Sequence, residues 1–139
     1  MPESLPKSTA EIVAIAAERF PGHLGIELTD LSPDRVSMSM PVTERVLNLV
    51  GVVHGGAIVT LADTACGFAT AANLPDGATS FTTIELKTNF LGAVSDGDLL
   101  CVATPVHRGR TTQVWDAEVT HVQTGRRLAM FRCTNLVVR

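Results

Sequence analysis

Residues 35–40 alternate without a break, with Val36, Met38 and Met40 apolar and Arg35, Ser37 and Ser39 polar. A period of two marks a strand with one face on a core. Residues 24–31 read as a strand before it, and Ser32-Pro33-Asp34 forms the turn between them. Upstream, Thr9–Phe20 has helical spacing, with Ser8 or Thr9 as N-cap and Glu11 in the first turn. Pro21-Gly22 is expected to end that helix, so residues 1–21 form an N-terminal helical segment. Pro41–Val53 reads as loop. A long apolar helix follows, from His54 to about Asn73, before Leu74-Pro75-Asp76-Gly77. Four strands complete the chain, at about 79–91, 98–106, 111–122 and 127–138. Their breaks are Ser95-Asp96-Gly97, Arg108-Gly109-Arg110 and Gln123-Thr124-Gly125. Each break is tight and carries glycine, which predicts that neighbouring strands run antiparallel.

The order α-β-β-α-β-β-β-β gives an α+β chain with one long helix and enough strands for a single antiparallel sheet. A sheet curled around the helix is expected to bury it on nearly all sides. That accounts for Ala57, Ile58, Leu61, Ala65, Cys66, Phe68, Ala69 and Ala72 on every face of the helix. It does not account for Asp63 in the middle.

Composition narrows the picture. The chain has 139 residues, 45% of them hydrophobic and 18% charged, which suits one folded domain over residues 1–139 and excludes a disordered chain. A net charge of −3 gives no support to a nucleic-acid or anionic-membrane partner. No stretch reaches the roughly 20 uninterrupted apolar residues of a membrane span, and the start lacks the pattern of a signal peptide. Cys66, Cys101 and Cys133 are odd in number and match no zinc or redox spacing. Reduced thiols in a cytoplasmic protein are the expectation.

The candidate chemistry lies around the long helix. Asp63 reads either as a carboxylate on a solvated stripe shared with Thr60, Thr64 and Thr70, or as a base in a cleft, where burial raises its pKa. Gly55 and Gly56 read either as a tight turn or as bare amides at the positive end of a helix, suited to a developing oxyanion. Gly55 and Asp63 are separated by about 12 Å along one helix. One helix cannot readily aim both at one carbonyl carbon. Two antiparallel copies across a two-fold axis can, so joint catalysis by the two residues requires a dimer with sites at its interface.

The stretch Asn48-Leu-Val-Gly51-Val-Val-His54-Gly55-Gly56, followed by Leu61-Ala62-Asp63-Thr64-Ala65, resembles the signature of PaaI-like hotdog-fold acyl-CoA thioesterases. Thr83-Ile-Glu85-Leu-Lys87-Thr-Asn89-Phe90-Leu91 is similar to that family's central strand, and Arg108-Gly109-Arg110-Thr111 to a strand turn. The likeness runs from about Leu24 to Val138. It implies a hotdog fold, paired into homodimers and commonly homotetramers, and hydrolysis of acyl-CoA without a metal. It also implies that CoA arrives as part of the substrate and that no separate cofactor is needed. By the same resemblance Asp63 activates water or attacks directly, and the Gly55 amide of the neighbouring subunit polarises the carbonyl. Asn48 bonds near that carbonyl, Thr83 helps hold the water, and His54 shapes the loop. The Arg108–Thr111 turn, with charge, a glycine amide and a hydroxyl, becomes the phosphate-binding candidate. Arg126, Arg127, Arg132 and Lys87 are weaker candidates. Phe68 and Phe90 are candidates for an acyl pocket, and an aryl or medium-chain acyl group is implied. Two other readings stand beside this one. A hotdog hydratase or dehydratase would need its histidine in a different local motif, and a non-catalytic acyl-CoA-binding protein would lack turnover.

Overall fold

The computed structural model describes residues 4–139, so the first three residues of the expected N-terminal segment lie outside the described residues. Helix α1 covers Thr9–Ala17, and the Ser8 hydroxyl accepts the Glu11 amide at 3.2 Å, as the cap pattern predicts. Its end differs from expectation. Phe20–His23 form a separate helical turn, α2, with Pro21 in its first turn. Proline has no amide hydrogen and is tolerated where a helix needs none. Here it opens a new turn instead of closing the old one.

Strands β1 (Glu27–Ser32) and β2 (Arg35–Pro41) pair antiparallel around the predicted turn. Val36, Met38 and Met40 are buried, as their alternation requires. The remaining strands are β3 (Ser80–Phe90), β4 (Asp98–Arg108), β5 (Thr112–His121) and β6 (Arg127–Val138). All six form one antiparallel sheet in the order β1-β2-β4-β5-β6-β3. The order corrects one expectation. Ser95-Asp96-Gly97 does not join paired neighbours, because β3 pairs with β6 at the far edge and the chain crosses back to place β4 beside β2. A glycine turn sets the local reversal of the chain and does not select which strand accepts the ladder.

Helix α3 (Gly55–Ala72) lies against this sheet, giving the hotdog arrangement of one long helix in a curved antiparallel sheet. Its alanines 57, 62, 65 and 69 are buried and let the helix approach β2, β4 and β5 closely. Ile58, Leu61 and Phe68 fill the remaining space with Leu99, Trp115, Leu128 and Phe131. The wrapping is incomplete, which corrects the expectation of burial on nearly all sides. Gly56, Thr60, Asp63, Gly67 and Ala71 form a stripe at helical spacing that the sheet covers only in part: Gly56 is exposed and the other four are half-buried. The sheet curls around only part of the helix's circumference.

A buried polar chain ties the helix end to the sheet. The Trp115 indole N–H donates to Gln113 Oε1 at 3.0 Å, and Gln113 Nε2 donates to the carbonyl of Asn73, the C-cap of α3, at 2.8 Å. Asn135 Nδ2 donates to Thr70 Oγ1 at 2.6 Å, and that hydroxyl donates to the Cys66 carbonyl at 2.9 Å. Gln113 has no exposed surface. Gln113→Ala is expected to strand two buried groups and open a cavity, costing about 2–4 kcal/mol in a urea unfolding titration. A loss below about 0.5 kcal/mol would show that this link is dispensable.

Candidate active site

The start of α3 is organised by His54. Its backbone carbonyl accepts the Ala57 and Ile58 amides at 2.9 and 3.3 Å, and its ring Nδ1 accepts the Gly56 amide at 2.8 Å. These bonds engage three of the first four helix amides, and among the described residues the Gly55 amide has no partner. That free N–H points from the positive end of the helix, the property an oxyanion donor needs. The resemblance gives His54 the role of shaping the loop; here its ring caps the helix that follows. A ring whose Nδ1 accepts a backbone amide is not free to serve as a base at that atom. Both glycines are needed here for space. A Cβ on Gly56 would sit 2.9 Å from the His54 Nδ1, and one on Gly55 would sit 3.0 Å from the Phe90 ring.

Asn48 begins the tight loop before the helix. Its side-chain carbonyl accepts the Val50 amide at 3.0 Å and the Val52 amide at 3.2 Å, and its backbone amide donates to the Val52 carbonyl at 2.7 Å. Gly51 closes the loop at φ +84°. These bonds fix the Asn48 amide plane and leave Nδ2 as an unused donor. The loop holds Leu49 and Val50 almost wholly in solvent.

Asp63 lies on the open stripe of α3, half-buried. The Thr83 hydroxyl, on β3, donates to Asp63 Oδ1 at 3.2 Å. Thr83 touches the carboxylate itself, which sharpens the role expected of it. Burial raises the Asp63 pKa above its ordinary 3.8, and the Thr83 bond pulls it partly back. The carboxylate is half-buried and not fully solvated, and that partial desolvation is the condition under which it becomes a stronger base. Beside it lies an apolar cavity of about 240 Å³, bounded by Gly67, Phe68 and Phe81 and roofed by Ile12, Ala16 and Pro21. Phe68 faces that cavity as expected. Phe90 does not line it and packs on Gly55. Phe81 and the α1 wall were not singled out from sequence. Their signal was tertiary, since nothing in their own pattern marks them as pocket residues.

Cys66, three residues after Asp63, is a core thiol. A bond from Cys133 and burial hold its pKa well above the ordinary thiol value, and burial pushes Cys101 up to about 12. Neither is a thiolate nucleophile near neutral pH.

The Arg108–Thr111 turn lies near the other end of α3, and the structure corrects part of its expected role. Arg108 Nη1 is engaged with Asp34 at 2.7 Å, the Pro33 carbonyl at 3.1 Å and Asn73 Oδ1 at 3.4 Å. The Gly109 amide is spent on the Thr112 carbonyl at 2.9 Å within the hairpin. The turn still offers the Nε and Nη2 hydrogens of Arg108, whose side chain is 39% exposed, together with the Arg110 side chain and the Thr111 hydroxyl on exposed residues. On the outer sheet face Arg132 grips Asp116 with two bonds, at 2.6 and 2.9 Å, and Arg127 pairs with Glu118 at 3.2 Å.

Three comparisons bear on this geometry. The family model of the thioesterase superfamily matches residues 50–133, which span the helix start, Asp63 and Thr83. The proofreading thioesterase EntH of Cronobacter turicensis is 36% identical over 116 residues, covering 84% of this chain and 83% of that one. The 1,4-dihydroxy-2-naphthoyl-CoA hydrolase of Listeria monocytogenes is 31% identical over 111 residues, covering 80% and 89%. The crystal structure of thioesterase HI1161 from Haemophilus influenzae superposes with a TM-score of 0.87 at 28% identity, covering 100% of this chain and 96% of that one.

The raised Asp63 pKa has a consequence for stability. Its folded pKa lies above the unfolded value of 3.8, so the ionised carboxylate costs stability above the raised value, and the cost vanishes below 3.8. Asp63→Asn is therefore expected to raise Tm at pH 7, with a gain that shrinks to nothing as pH falls through 3.8. A gain that is the same at all pH values, or a loss at pH 7, would contradict the desolvation of Asp63.

Proposed function

The chain belongs to the thioesterase superfamily and is a thioester hydrolase, and from that premise we propose that it cleaves acyl-CoA to a free acid and CoA at a site shared by two subunits. The observation that carries this reading is the division of labour along α3. The unpartnered Gly55 amide and the desolvated Asp63 are about 12 Å apart by helical rise. A general base and an oxyanion donor must both come within roughly 3 Å of the reacting atoms. The open stripe on α3 and the free edge of the eleven-residue β3 support pairing with a second copy. That edge exposes Ile84, Leu86 and Phe90, and an unpaired edge of this kind invites another strand. Antiparallel pairing about a two-fold axis would set one helix start beside the other helix's Asp63.

In this mechanism Asp63 takes a proton from a water whose oxygen adds to the thioester carbonyl carbon. The negative charge moves to the carbonyl oxygen, where the partner's Gly55 amide and the partner's Asn48 Nδ2 receive it. The oxyanion collapses, the carbon–sulfur bond breaks, and the departing CoA thiolate takes the proton held by Asp63, which returns to carboxylate. Thr83 orients the carboxylate throughout. A general base contributes roughly 10²–10⁴ in rate, and one oxyanion donor about 3–4 kcal/mol. No nucleophilic thiol is needed. Arg110, Thr111 and the Nε and Nη2 hydrogens of Arg108 are the groups of the predicted turn left to meet CoA phosphates. The Listeria relative is named for an aryl-CoA, which supports CoA as the leaving group here. Free thiols at all three cysteines fit a reducing cytoplasm.

Three experiments test the parts separately. Asp63→Asn should keep the fold and lower kcat by about 10²–10⁴ against acyl-CoA substrates; activity within a few fold of wild type would remove Asp63 from the chemistry. Arg110→Ala should raise KM more than it lowers kcat, because a phosphate contact is remote from the reacting bond; an unchanged KM would move the phosphate site elsewhere. The shared site is tested by refolding Asp63→Asn chains together with Asn48→Ala chains. Random pairing makes about half the dimers mixed, each with one intact site, so about a quarter of all sites should recover. No recovery, with subunit exchange confirmed, would place each site within one chain.

A further inference from the structure

The cavity beside Asp63 is not the whole of the space under the N-terminal segment. A second cavity of about 420 Å³ lies on the far side of Ile12 and Phe68. The two cavities share Leu5, Ile12, Phe68 and Ala71 as walls. Only the first reaches Asp63 and Thr83, and only the second reaches Lys7 and Thr79. They are therefore separated by a partition of side chains.

We propose that these are two chambers of one acyl-binding channel, and that the second takes the far end of a straight-chain acyl group. This rests on the acyl-CoA reading above. The carbonyl must sit at Asp63, so the acyl group enters the first chamber, whose lining is almost entirely apolar. A compact aryl group fills that chamber and ends there. An unbranched chain can pass between Ile12 and Phe68 once those side chains change rotamer. Two features make that passage open readily. The partition is built of side chains, whose rotamer changes are fast. One of its walls is α1, which has no fully buried residue and meets the core through the partly buried Ile12 and Ala16. It is anchored upstream by the Leu5 amide, which donates to the Thr79 carbonyl at 2.9 Å. Lys7, Thr9 and Thr79 bring polar groups to the wall of the second chamber, so the benefit of a longer chain stops there.

The test uses the full chain and a series of straight-chain CoA esters from butanoyl to dodecanoyl, with benzoyl-CoA as the compact comparison. For the wild type, kcat/KM should climb roughly four-fold per added methylene while burial continues, then level off. Thr79→Trp and Lys7→Trp each place an indole in the second chamber and leave the first untouched. Both should abolish the gain for the longer esters while butanoyl- and benzoyl-CoA turn over as in wild type. A chain-length profile in either variant that matches wild type, or a wild-type profile flat beyond butanoyl, would overturn the second chamber. If Thr79→Trp lowers all esters equally through damage to the fold, Lys7→Trp decides, since Lys7 lies before α1 and outside the sheet. Failure of the acyl-CoA reading itself looks different, because then no ester in the series is hydrolysed.

Discussion

The close seam between α3 and the sheet sets everything else in this structure. Four buried alanines draw the helix onto β2, β4 and β5, and Trp115, Leu99 and Leu128 fill the sheet side without exposed surface. With its axis fixed in this way, the helix can turn only one stripe away from the sheet. That stripe carries Asp63, with the unpartnered Gly55 amide at the helix's first turn. Position and chemistry are thus coupled. Any repacking that rotated the helix by a fraction of a turn would carry the carboxylate away from Thr83 and from the apolar cavity.

The desolvation of Asp63 is the local expression of the same constraint. A carboxylate fully in water would be a weak base, and one fully buried would stay protonated. The hydroxyl of Thr83 holds it between these limits. At the helix start a similar balance is struck by subtraction. His54 satisfies Gly56 with its ring and Ala57 with its carbonyl, so the donor left over is a single one at a fixed place. The capping groups of His54 engage the three amides that follow Gly55 and leave the Gly55 N–H free among the described residues.

Much of this was legible in the sequence, and the limits are physical. Alternation at Val36, Met38 and Met40 gave a strand, and the apolar run with Asp63 gave a central helix, because period and polarity are local properties. The His54-Gly55-Gly56 and Asp63 pattern marked a candidate site, because a glycine pair at a helix start and a lone carboxylate in an apolar helix are local features. The edge position of β3 was not legible, since the turn at Gly97 looks the same whether or not its flanking strands pair. Nor was the commitment of Arg108 to Asp34, a partner 74 positions away. The pocket wall made by Ile12 and Ala16 of α1 and Phe81 of β3 is assembled from two segments far apart in the chain, and neither carries its signature alone.

The buried indole has a spectroscopic consequence. The chain has one tryptophan and no tyrosine, so its ultraviolet emission comes essentially from one ring, fully enclosed and hydrogen-bonded to Gln113. That ring is joined through Gln113 to the C-cap of α3 and lines neither of the two cavities beside α1. Its colour and lifetime therefore report the helix-to-sheet seam. The molecule carries a built-in optical gauge of its core, set apart by position from both cavities.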